Sequence, residues 1–171
     1  EMMKRGEFRQ SFSGTLHGRT LGIFGLGKIG KLVAGTGASF GMRVLVFGRD
    51  ASLAAARASG YGVAASKAEL FEQSDVLVLC CPGGEATRHL VGRAALDRLG
   101  REGYLINVAR GSVIDEPVLI RYLEEKRIAG AGLDTFCNEP KIDPRFIPLD
   151  NVVLHPHVGT YSIETRTAMA N

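Results

Sequence analysis

Four short stretches of this chain carry residues whose types and spacing could do chemistry. Gly25-Leu26-Gly27-Lys28-Ile29-Gly30 has the GxGxxG spacing of a strand turning into a helix around a pyrophosphate. Gly25 permits the sharp turn, Gly27 lets the backbone approach the phosphates, and Gly30 lets helix and strand pack closely. The N–H groups of Lys28 and Ile29 then face the anion at the helix N-terminus. The other three stretches are Asn107-Val108-Ala109-Arg110-Gly111, Asp134-Thr135-Phe136-Cys137-Asn138-Glu139-Pro140 and His155-Pro156-His157-Val158-Gly159. Each follows an apolar run, and together they supply a fixed cation, carboxylates and imidazoles. Such a set suits reduction of a small 2-keto acid: an Arg binds the acid, a His gives its proton to the nascent alkoxide, and a carboxylate orients that His.

These stretches need a scaffold that brings them to one edge. Apolar runs of strand length recur at Thr20–Phe24, Val44–Phe47, Val76–Cys80, Tyr104–Val108, Gly130–Leu133 and Val152–Leu154, without the polar alternation of a half-exposed sheet. They read as strands covered on both faces. Helical signals fill the gaps at Lys28–Phe40, Ala51–Ser59, Lys67–Gln73, Arg93–Leu99 and Pro117–Glu125, and residues 162–170 open a further helix. Ser66-Lys67-Ala68-Glu69 has capping-box spacing, and Asp115 and Glu116 put negative charge before Pro117 at a helix start. Residues 1–19 read as a mostly polar segment, a helix followed by a loop around Ser11–Gly18. Alternating strand and helix predicts an α/β fold, a doubly wound parallel sheet of the dinucleotide-binding type, in one domain over residues 1–171. Gly35 and Gly37 interrupt the first helix, and close packing on the sheet would account for them.

The end of the second strand bears on the cofactor. An acidic residue about 20 positions past the glycine turn holds a ribose 2′-hydroxyl, whereas an Arg suits a 2′-phosphate. Here the strand runs out at Phe47 into Gly48 and Arg49. Gly48 removes the carboxylate that would repel a 2′-phosphate and Arg49 can pair with it, so NADP is favoured over NAD. Asp50 would take the ribose instead if the strand ran two residues longer.

Composition excludes several other classes. A formal charge of +3, with Lys and Arg scattered, leaves no electrostatic footprint for nucleic acid. No apolar stretch is long enough for a bilayer, and Glu1-Met2-Met3-Lys4-Arg5 lacks the apolar segment of a signal peptide, which reads as a cytoplasmic protein. Three cysteines, two adjacent at Cys80 and Cys81, form neither a disulfide ladder nor a spaced metal site and read as core thiols in a reducing compartment. His155 and His157 have no third ligand at metal spacing.

The ordered signatures around Gly25–Gly30, Arg110, Glu139 and His157 resemble the D-2-hydroxyacid dehydrogenase family over essentially the whole chain. The resemblance implies that Arg110 binds substrate, that Glu139 is the carboxylate of a Glu-His pair and that His157 is the acid/base. It implies that Asp134 meets the nicotinamide carboxamide, that Cys81, Pro82 and Thr87 line the adenosine and phosphate side, and that Val108, Ala109 and Gly159 lie near the cofactor. Within the family, Gly48-Arg49 and the run from Asn151 to Gly159 are most similar to NADPH-dependent glyoxylate/hydroxypyruvate reductases. Cys137-Asn138 before the Glu-Pro pair and Gly83-Gly84 after Pro82 depart from the usual pattern. The family also has a second, discontinuous substrate domain that this chain lacks, so the chain alone is expected to bind cofactor but turn over little. A homodimer formed mainly through this domain is implied as well. Two relatives share much of the same set: dinucleotide-sensing corepressors of the C-terminal binding protein type, and dehydrogenases acting on formate or phosphite.

Overall fold

The computed structural model describes residues 14–170. The segment read as an N-terminal helix falls largely outside them, and Gly14–Arg19 form a loop with a turn. Seven parallel strands form one sheet in the order β3-β2-β1-β4-β5-β6-β7. They are β1 (Thr20–Phe24), β2 (Arg43–Phe47), β3 (Gly62–Val63), β4 (Val76–Leu79), β5 (Tyr104–Asn107), β6 (Gly130–Leu133) and β7 (Val152–Leu154). Six helices accompany them: α1 (Lys28–Ser39), α2 (Asp50–Ala58), α3 (Lys67–Gln73), α4 (Arg93–Leu99), α5 (Glu116–Glu124) and α6 (Ile163–Ala170). Strand order reverses between β1 and β4, the crevice where such sheets bind ligands beyond the strand C-termini.

The sheet divides the core in two. Leu21, Ile23, Val44, Val46 and Val78 pack with Ala34 of α1 and Ala56 of α2. Leu77, Leu79 and Leu105, pointing the other way, pack with residues of α3, α4 and α5 such as Leu70, Leu96 and Leu119. Two helices therefore cover one face, centred on β1 and β2 and reaching Val78 of β4, while three cover the other. This corrects the expectation that every strand is covered on both faces: in β7, Val152 and Leu154 pack on the larger cluster while Val153 is 61% exposed. β3 is an addition to the expected strands, since two residues paired with Leu45 and Val46 leave no apolar run to detect.

Local signals explain the element ends. Ser66 Oγ accepts from Glu69 N–H at 3.1 Å, while the Glu69 carboxylate reaches Ala65 N–H at 2.6 Å, one residue earlier than a standard capping box. Asp115 caps α5 by accepting from Val118 N–H. Glu116 is not a surface charge at that helix start: it is only 6% exposed. Of the two helix glycines, Gly37 is explained by packing, because a Cβ there would lie 2.2 Å from Leu21 Cδ2. Gly35 is not, since a Cβ would meet nothing within 4 Å. The thiols also divide, with Cys81 buried, Cys80 intermediate and Cys137 exposed rather than in the core.

Candidate active site

The glycine turn is built by backbone contact. Gly25 has φ +96°, accessible at low cost to glycine, and its N–H donates to Phe47 O at 2.8 Å. A Cβ on Gly30 would stand 2.2 Å from Gly25 O, which holds the start of α1 against the strand end. A Cβ on Gly27 would meet nothing, so the turn is open on the side where a pyrophosphate must approach. Gly27 is also the α1 N-cap and provides no side-chain cap, which leaves the first N–H groups of the helix, including those of Lys28 and Ile29, to an external acceptor. The residues present thus fit a dinucleotide.

Beside the turn lies a cleft of about 470 Å³ lined by Gly25, Gly27, Gly48, Arg49, Cys81, Pro82 and Thr87, all named from sequence. Leu26, Lys31, Ser52 and Ala55 are among the other residues that line it. Strand β2 ends at Phe47, and Arg49 is the N-cap of α2, so Asp50 lies in the first turn of that helix rather than at a strand end. A Cβ on Gly48 would come within 3.2 Å of Ser52 Cβ, a tight contact against the first turn of α2. Thr87 Oγ1 donates to Pro82 O at 2.8 Å and so fixes the loop after β4.

A second, larger cleft of about 810 Å³ adjoins the first. It is lined by Ile29, Pro82, Val108, Ala109, Arg110, Glu139 and His157 among others. Cys80, Cys81 and Cys137 also reach it, and burial raises the Cys81 thiol and pushes those of Cys80 and Cys137 up to about 11, so all three are protonated at neutral pH. The turn carrying Arg110 is held from below by fully buried Asn107. The Asn107 amide nitrogen donates to Arg110 O at 3.1 Å and its oxygen accepts from Ala109 N–H at 3.0 Å. A Cβ on Gly83 would lie 2.8 Å from Arg110 Cγ, so the glycine that departs from the usual pattern is the one over which the Arg110 stem passes.

Glu139 and His157, 18 residues apart, meet at 2.8 Å between Oε2 and Nδ1. The other Glu139 oxygen accepts from Phe136 N–H at 2.9 Å. The bond from His157, followed by the Phe136 N–H and the charge of Arg110, holds the Glu139 carboxyl below its ordinary range despite a desolvation cost. With Nδ1 engaged, Nε2 is the ring atom left for substrate. His157 sits at φ +55°, and the following turn is fastened by Asp134, whose Oδ1 and Oδ2 accept from Val158 N–H at 2.9 Å and Gly159 N–H at 3.2 Å. Both Asp134 oxygens therefore bond the histidine loop, a use that spacing alone does not reveal. His155 turns away into a separate apolar hollow with Ile106, Val108, Asp134 and Gly159.

Known proteins are similar to this chain in sequence and in fold. The model of the D-isomer specific 2-hydroxyacid dehydrogenase NAD binding domain matches residues 1–159. The chain belongs to this family. It is 44% identical to 2-ketogluconate reductase of Gluconobacter oxydans over 90% of this chain and 48% of that protein. Against glyoxylate/hydroxypyruvate reductase A of Arabidopsis thaliana, identity is 40% over 98% of this chain and 52% of the relative. A crystal structure of an NADPH-dependent glyoxylate/hydroxypyruvate reductase from Sinorhizobium meliloti, in complex with NADP and malonate, superposes with a TM-score of 0.87 at 37% identity, covering 99% of this chain and 51% of that one. The chain spans about half the length of the curated relatives it matches. In this 2-hydroxyacid dehydrogenase NAD-binding domain, Arg110, Glu139 and His157, which the sequence resemblance singles out, line one cleft.

Two residues shape the site through contacts that the sequence does not reveal. Gly111 is one: a Cβ there would lie 2.0 Å from Phe136 C and 2.3 Å from Cys137 N. Glu116 is another, accepting from Cys137 N–H at 2.6 Å.

Proposed function

We propose that this domain holds NADPH and that the protein containing it reduces a small 2-keto acid of the glyoxylate or hydroxypyruvate kind, with a second domain completing the substrate pocket. The observation that carries this reading is the Glu139–His157 pair, set in one cleft with Arg110 beside the dinucleotide turn. When bound, the nicotinamide supplies the hydride. Arg110 binds the substrate carboxylate in the cleft that His157 also lines. His157 Nε2 gives a proton to the carbonyl oxygen as charge develops there, and ionised Glu139 keeps the ring oriented through its bond to Nδ1. Asp134 holds the histidine turn, and the family resemblance assigns it to the carboxamide and Val108, Ala109 and Gly159 to the cofactor's surroundings; the N–H groups of Lys28 and Ile29 bind the pyrophosphate.

The preference for NADPH rests on Arg49 and Gly48 lining the adenosine-side cleft while Asp50 lies in α2 and outside that lining. One structural relative, the Sinorhizobium meliloti reductase, is NADPH-dependent. The protein is further read as a cytoplasmic homodimer. Among the described residues no helix is long and apolar enough to cross a membrane.

Calorimetric titration of the chain with NADPH and with NADH tests the cofactor reading. NADPH is expected to bind more tightly, and Arg49→Ala is expected to remove the difference, at a cost of about 1.5–3 kcal/mol for NADPH, the worth of a charged hydrogen bond. Equal loss for both cofactors would mean that Arg49 does not read the 2′-phosphate. Turnover of glyoxylate and hydroxypyruvate by the complete polypeptide tests the reaction, and absence of both activities with intact NADPH binding would sink the substrate assignment.

A further inference from the structure

Glu116 is buried at the first turn of α5, 6% exposed, and its position along the chain is fixed by the Asp115 cap and by Pro117. Its side chain leaves α5 to meet the loop after β6, where Oε1 accepts from Cys137 N–H at 2.6 Å. A buried carboxylate is costly unless something requires it. Here the environment adds to the cost, because Glu139 and Asp143 face it with like charge and only the Cys137 backbone and thiol favour its ionised form. A leucine would fill the same core without that penalty.

The Cys137 N–H lies next to the one that matters for the acid–base pair. Phe136 N–H donates to Glu139 Oε1 and Glu139 Oε2 meets His157 Nδ1. On the opposite side the same two residues are pressed by Gly111, where any Cβ would overlap Phe136 C and Cys137 N. Two separate devices, one a hydrogen bond and one a close backbone approach, therefore act on a single peptide unit, and both come from the segment that follows Arg110.

We propose that Glu116 is a positioning residue: its carboxylate anchors the Phe136–Glu139 turn through the Cys137 N–H, and so sets Glu139 against His157 and ties that pair to the Arg110 segment. The inference rests on reading Glu139 and His157 as the acid–base pair, and it adds a residue that touches neither substrate nor cofactor. It makes a specific demand, that position 116 present an oxygen acceptor at the length of Glu or Gln. Charge is not required.

The test reads Glu139 directly. Carbon-13 NMR titration of the Glu139 carboxyl is made in this chain and in Glu116→Gln, Glu116→Leu and Glu116→Asp, with amide exchange at Cys137 measured alongside. In the parent the Glu139 carboxyl titrates below its ordinary range. Gln is expected to preserve that depression. Leu and Asp, which lack an acceptor within reach, are expected to return Glu139 to the ordinary range and to speed Cys137 exchange about tenfold or more. In the complete polypeptide Leu is expected to lower kcat roughly tenfold to a hundredfold, the scale of an ångström's misplacement of a reacting group. NADPH affinity and its KM should stay put, and Gln should restore most of kcat. If Leu fails to fold, Asp is judged by the same criteria. A Glu139 titration unchanged in Leu or Asp would overturn the proposal, leaving Gly111 packing as the sole anchor, and so would Gln behaving like Leu. Because the titration involves no turnover, its outcome stands apart from whether the protein reduces a keto acid.

Discussion

The two halves of the site are built by different means. At the dinucleotide turn, function depends on atoms that are missing: Gly25, Gly27 and Gly30 shape the backbone by having no Cβ, and all lie within six consecutive residues. At the acid–base half, function depends on side-chain bonds between distant segments. Glu139 reaches His157 across 18 positions, Glu116 reaches Cys137 across 21, and Asp134 reaches Val158 across 24. A site made by local omission tolerates changes around it, whereas one made by long-range bonds can fail through any link.

The sharpest break between the halves is His157→Ala. In the complete polypeptide it should cut kcat by roughly 10²- to 10⁴-fold, the usual range for general acid–base catalysis, with calorimetric NADPH affinity nearly unchanged. Loss of both together would mean that the two halves are not separable. Gly30→Ala should do the reverse at the level of the fold. Its Cβ would strike Gly25 O, a backbone atom that cannot swing aside, so denaturant unfolding should show a loss of about 1–3 kcal/mol or more, with weakened cofactor binding.

A smaller effect separates the halves by pH. Burial, followed by the neighbouring carboxylates, raises Glu116, so its share of stability is fully present below the ordinary carboxyl value of 4.5 and is lost as pH climbs through the raised folded value. Glu116→Gln does not titrate. Urea melts should therefore find the variant gaining on the parent as pH rises past 4.5, with no gain at pH 4 or below. A constant difference at every pH would place the effect elsewhere. Gly35→Ala is the mildest change: its Cβ meets nothing, and it should stabilise the domain by about 0.5–1 kcal/mol in a thermal melt without touching either ligand site.

This contrast also explains what the sequence makes legible. The sheet, its parallel sense and the six α-helices of the described residues are visible because long apolar runs and caps are local signals, whereas the three short 3-10 turns are not. The glycine turn is visible for the same reason. β3 is not, because its two residues carry no pattern apart from their partners in β2. Arg110, Glu139 and His157 can be named through their motifs, but the carboxylate of Asp134 fastening the histidine loop, the Gly111 contact and the burial of Glu116 exist only once the chain is folded. Glu116 is the clearest case. Read in line it is an ordinary acidic residue at a helix start, and only the loop after β6 turns it into a buried acceptor. The uncovered face near Val153 is likewise invisible, since an apolar triplet reads the same whether one side or both are packed.

The short strands at the two ends of the sheet have a consequence for how molecules of this protein meet. β3 offers two residues and β7 three, so a strand arriving from another chain could zip onto either border for only a few bonds. Long, flat borders recruit foreign strands and seed aggregation. This sheet is instead widest and most continuous in the middle, where β1 and β4 are already paired on both sides and flank the cofactor crevice. The chain can therefore hold an open, ligand-receptive sheet at high concentration with little risk of polymerising through its own backbone.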